Sequence, residues 1–173
     1  MANYNWTTNL KAIYDKAVAQ YREGKRGADT FFNAEELSFL RSIGHTAQEL
    51  YDFAEDLVNR GEPDWETFLL IAAVRRDYFM VVQEGKLSDK VIMSDTLPAK
   101  DEAADGIVWL PRIIEKAKIK LRGEMNPDLM YGCGGDRKFF ADNNVPPADF
   151  LRHVWASDGD DQKVVDYVKS CRS

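Results

Sequence analysis

Apolar residues recur at helical spacing along almost the whole chain. Leu10, Ile13, Tyr14, Ala17, Val18 and Tyr21 form one stripe, which predicts a helix from about Thr8 to Arg22 ended by Gly24 and Gly27. A shorter helix follows Asn33, an N-cap with Glu35 and Glu36 in its first turn, and stops at Gly44. Thr46 and Glu49 make a capping box, after which Leu50, Phe53, Ala54, Leu57 and Val58 keep helical spacing to Gly61. The segment behind Asp64, reaching about Glu84, is apolar on nearly every side, as expected for the middle of a bundle.

Beyond a polar connector with Gly85, Ser88, Ser94 and Pro98, Pro111 suits a first helical turn. Leu110, Ile113, Ile114, Ala117 and Leu121 then form a stripe closed by Gly123. Asp136 is expected to cap a short helix carrying Phe139 and Phe140. Pro146-Pro147 opens another with Phe150, Leu151, Val154 and Trp155, and Asp158 is expected to cap the last, with Val164, Val165 and Val168. The pattern predicts an all-α fold, a compact bundle of seven or eight helices around a buried central helix. Val91-Ile92-Met93 is the one stretch suited to a short β piece. It also predicts a single compact domain of two helical halves, about 1–92 and 99–173, because the second half's apolar faces are too short to make a core alone.

Composition narrows the function. The chain has 173 residues, 23 Lys plus Arg against 29 Asp plus Glu, and a net charge of −6, the wrong sign for a general nucleic-acid binder. Its longest apolar run, Phe68 to Val74, falls far short of the ~20 residues that span a bilayer. The opening Met1-Ala-Asn-Tyr-Asn-Trp6 has neither a basic nor an apolar signal region. With only Cys133 and Cys171, both are expected as free thiols in a reducing cytosol.

Three clusters carry candidate chemistry. Arg75, Arg76 and Asp77 stand together in the otherwise apolar fourth segment, fanning over about 200° of helix surface. They read either as a structural ion pair to a neighbouring helix or as arginines gripping an anionic ligand. Between Arg112 and Arg122 the local balance is +4, with Arg112, Lys116 and Lys120 on one face; a solvated face is the plain reading, an anionic ligand or acidic partner the sharper one. Third, Tyr131-Gly-Cys133-Gly134-Gly135-Asp136-Arg137 combines glycines, a thiol, an acid and a guanidinium at a helix start. Converging amides there favour an anion and would raise the reactivity of Cys133. The alternative is a tight turn with Cys133 as packing. It is no phosphate loop of the G-x-x-x-x-G-K-[ST] kind.

No metal site is expected. His45 and His153 belong to no zinc pattern, Met125, Met130 and Cys133 read as gap filling rather than a soft-metal set, and Asp158-Gly-Asp-Asp161 reads as capping, not a calcium loop. No cofactor motif stands out. Trp109-Leu-Pro-Arg112-Ile-Ile-Glu-Lys116-Ala-Lys118, Leu121-Arg-Gly-Glu-Met125 and Asp128-Leu-Met-Tyr-Gly-Cys133-Gly-Gly-Asp136-Arg137 resemble a bacterial family of a domain of unknown function, most sharply over 106–169. The resemblance implies a compact, mostly helical, soluble bacterial protein and transfers no catalytic residue.

Two functions follow as expectations. One is binding of, or chemistry on, a small anionic metabolite. Cys133 and Asp136 would be the reactive groups, and Arg112, Lys116, Tyr131, Gly134, Gly135 and Arg137 the ligand-binding set, joined by Arg75 or Arg76. The other is a homodimeric interaction module using Trp6, Trp65, Trp109 and Trp155.

Overall fold

The computed structural model describes residues 4–172, so Met1 to Asn3 of the opening hexapeptide lie outside the described residues. The architecture is all-α: among the described residues there are eight α-helices and one two-stranded sheet. The chain forms two compact units, 1–87 and 88–173.

The first unit holds α1 (Trp6–Arg22), α2 (Ala34–Ser42), α3 (Ala47–Arg60) and α4 (Trp65–Val81). The starts of α2, α3 and α4 are set by side-chain caps: Asn33 with Glu36 and Thr46 with Glu49 form reciprocal capping boxes, and Asp64 accepts from the Thr67 amide. The α1 stripe is buried against α3, and Tyr14 stacks on Phe68 at 5.0 Å between ring centres while Phe53 meets the same ring at 4.7 Å. Gly44 ends the turn after α2 with φ +77°, and a Cβ there would stand 2.7 Å from Phe79, so both backbone and packing require glycine.

The fourth helix differs from its sequence reading in two ways. It ends at Val81, because the Gly85 amide folds back to the Phe79 carbonyl through Glu84 and Gly85 at positive φ. It is also not sheathed on every side: Leu70 is 51 % and Val81 70 % exposed.

The second unit begins with Ile92 in a single bridge to Met125, not a strand over 91–93. The strands are β1 (Ala103–Ala104) and β2 (Ile107–Val108), paired antiparallel across Asp105-Gly106, both at positive φ as a two-residue hairpin turn demands. Then come α5 (Leu110–Arg122), α6 (Gly134–Asp142), α7 (Pro147–Ala156) and α8 (Asp161–Cys171). The core is α5 against α7, with Phe139, Phe140 and Phe150 in edge contacts and Val164, Val165 and Val168 buried on α8.

Two expected caps move. Asp160, not Asp158, caps α8, Asp158 and Gly159 taking positive φ in the turn before it. Cys133, not Asp136, is the N-cap of α6, which places Asp136 one turn in with its side chain directed to the interior. Among the described residues no helix is long and apolar enough to cross a membrane.

Candidate functional site

The hairpin and α5 build one wall. The Trp109 amide donates to the Glu102 carbonyl at 3.0 Å, closing the hairpin and leaving Trp109 as N-cap of α5 with φ +75°. A bulky residue in the left-handed region is strained and must be held by its surroundings. What holds it is packing and a hydrogen bond: the indole lies on Gly135, and Trp109 Nε1 donates to Asp136 Oδ1 at 3.0 Å.

Asp136 is fully buried and fully engaged. Its second oxygen accepts from the Gly132 amide at 3.0 Å and from Lys116 Nζ in a short contact. Lys116 is only 3 % exposed, so this is a buried ion pair whose geometry and extra hydrogen bonds offset the desolvation of both charges. The solvated-face reading of Arg112, Lys116 and Lys120 therefore fails at two of its three residues. Lys120 is 2 % exposed, and burial pushes its ammonium down to about 7.

Lys116 Nζ also lies 3.5 Å from Cys133 Sγ. Cys133 is partly exposed and makes no capping bond to α6, and Gly134 and Gly135 beside it are exposed. The arrangement sets the thiol of a partly exposed cysteine beside a buried ammonium at a helix end whose first amides attract negative charge. Around it the loop is tied down. Arg137 Nη1 donates to the Gly132 carbonyl at 2.7 Å, and Gly132 takes φ +91°. The Tyr131 hydroxyl donates to the Pro147 carbonyl at 2.7 Å, and burial, with the Asp136 charge, lifts that phenol well above its usual range.

The structure thus brings Lys116, Cys133, Gly134, Gly135 and Asp136 together. Tyr131 ties the loop to the start of α7, Arg137 serves the loop's own backbone, and Arg112 donates to the Pro98 carbonyl at 2.7 Å. Arg75 and Arg76 belong to the first unit. Arg75 is fully buried with Nη1 on Gln83 at 2.7 Å, while its Nε and Nη2 find no hydrogen-bond partner. Among the described residues no carboxylate pairs with Arg75, and burial lowers its guanidinium to about 10. Arg76 lies over the Trp6 ring at 5.0 Å.

Trp109 is the member of the site that sequence reasoning did not assign. Its signal was its place seven residues before Lys116, on the same helical face. All four tryptophans are half-buried, and Trp65 packs on Tyr14 and Phe68. An open groove of about 460 Å³ lined by Thr7, Lys11, Asp15, Trp65 and Leu69 lies on the first unit and contains no candidate site residue. Among the described residues no group of three or more His, Cys, Asp or Glu could hold a metal ion. Comparison with protein-family models, with curated proteins and with solved structures returns no match.

Proposed function

We propose that the chain binds a small anionic metabolite at the opening of α6 and presents the Cys133 thiol to it. The observation that carries this reading is the coincidence, at one spot, of a partly exposed cysteine, an ammonium 3.5 Å from its sulfur and a helix end without a side-chain cap. A carboxylate or phosphate would take its hydrogen bonds from the amides of Gly134 and Gly135 and lie in the positive end of the α6 dipole. Asp136 is not the reactive group in this scheme. Its oxygens are occupied by Trp109, Gly132 and Lys116, and it acts by holding the lysine in place. Arg112 and Arg137 shape the surroundings through backbone carbonyls. Both cysteines are free thiols, in keeping with a reducing compartment such as the cytosol of the bacterium that the 106–169 resemblance suggests.

Titrating isotopically labelled protein with inorganic phosphate and with citrate, at constant ionic strength set by chloride, tests the site. The Gly134, Gly135 and Asp136 amide resonances are expected to move together and saturate. Shifts confined to other residues, or reproduced by chloride, would end the proposal.

A further inference from the structure

The contact between Cys133 and Lys116 has a second chemical consequence, independent of any ligand. The thiol of a partly exposed cysteine sits 3.5 Å from a primary amine, and that amine touches a carboxylate. A sulfenic acid in such surroundings condenses with the nearest nucleophile, thiol or nitrogen. The nitrogen here is held in place from both sides: Lys116 is 3 % exposed, and Asp136 is itself fixed by the Trp109 indole and the Gly132 amide.

From this geometry we infer that Cys133 and Lys116 form a reversible sulfur–nitrogen crosslink when the protein meets hydrogen peroxide. The thiol sulfur attacks the peroxide, the O–O bond breaks, and the products are Cys133 sulfenic acid and water. The Lys116 ammonium passes a proton to Asp136. The free amine attacks the sulfenic sulfur, the S–O bond breaks, and the hydroxyl leaves as water with a proton from the attacking nitrogen. The thiol has lost two electrons and the peroxide has gained them. The sulfenamide joins α5 to the start of α6 and removes the Lys116 charge; a thiol reductant reverses it. Capture of the sulfenic acid by the amine protects the sulfur from the irreversible sulfinic and sulfonic states.

A disulfide between Cys133 and Cys171 would remove the same two hydrogens, so the experiment uses the Cys171→Ser chain, its fold checked by circular dichroism. After mild peroxide treatment the intact monomer is expected to be lighter by two hydrogen atoms. Its digest should contain one species joining the Lys116 and Cys133 peptides, and iodoacetamide labelling of Cys133 should be lost; dithiothreitol should restore both peptides and the labelling. In Cys171→Ser/Lys116→Arg, which keeps a cation for Asp136 but offers no primary amine, the linked species should disappear and Cys133 should gain oxygen instead. The inference is overturned if the Cys171→Ser chain only gains oxygens at Cys133, only dimerises, or stays unmodified. It is also overturned if the linked mass persists in the arginine variant. None of these readouts involves phosphate or citrate, so failure here leaves the ligand reading standing.

Discussion

A single missing side chain sets the geometry of the thiol site. Gly135 is helical, where alanine is intrinsically better by about 1 kcal/mol, so Gly135→Ala on an open helix surface would stabilise the protein. Here a Cβ would stand 2.8 Å from Cζ2 and 2.9 Å from Cη2 of Trp109. The indole cannot yield easily, because its backbone is held at φ +75° and its Nε1 is committed to Asp136. The substitution is expected to destabilise by about 1–3 kcal/mol, the usual range for overpacking, and to change the tryptophan fluorescence of the native state. Urea denaturation showing Gly135→Ala more stable than the parent would mean that the indole does not rest there. The residues of this site were half legible in the sequence. Lys116, Cys133 and Asp136 could each be picked out by type, but the ion pair that turns Lys116 inward could not. The hint lay in spacing: Lys116 and Lys120 interleave with Ile113, Ala117 and Leu121, inside the apolar stripe rather than opposite it. Charge alone suggested water.

Elements with strong end signals were the most readable. Asn33, Thr46 and Asp64 each place a side-chain oxygen on an amide of the first turn, and each was visible as a residue type at a fixed offset from an apolar run. Asp64→Ala is expected to cost about 0.5–2 kcal/mol at neutral pH in chemical denaturation. The Thr67 hydroxyl and amide hydrogen-bond the Asp64 carboxylate and hold it below its usual range. A depressed acid lends stability above its unfolded pKa and loses it as pH falls through the folded value, so parent and variant should converge in strong acid. A gap that persists there would assign the cost to something other than the charged cap. The hairpin shows the opposite case. Two-residue strands offer no alternation to read, and only Asp105-Gly106 advertised the turn. Yet this hairpin sets Trp109, and through it Asp136. The end of α4 was also misplaced, since Val82 continues the apolar pattern while the backbone is already turning back.

At the scale of the molecule, an acidic chain has put cations inside: Arg75, Lys116 and Lys120 are all under 4 % exposed. A net charge of −6 describes the surface and does not disclose which charges the core takes. Burying charge makes stability depend on pH, and two groups set opposing slopes. Burial, with the charges of Glu55 and Asp56, pushes Asp52 up to about 7, although a hydrogen bond from Gln48 opposes the rise. Between about pH 4 and 7 the native state keeps a proton there that the unfolded chain releases, so this group's contribution falls as pH rises. Lys120, lowered to about 7 by burial, does the reverse: from about pH 7 to 10 the unfolded chain holds the extra proton, and stability rises with pH. The two contributions together put a minimum near neutrality, where native Asp52 and native Lys120 are each about half ionised. Asp52→Asn, which keeps an acceptor for Gln48, should flatten the acid limb, and Lys120→Met the alkaline one. Asp52→Asn should also raise stability near pH 7, by an amount kept modest by the water that still reaches part of the carboxylate. Urea denaturation of parent and variants at about pH 5, 7 and 9 measures both slopes as differences, so carboxylates held low elsewhere, such as Glu36 and Glu124, cancel. If the alkaline slope survives Lys120→Met, the burial of that ammonium is not what sets it, and another buried group must hold the proton that the native state gives up.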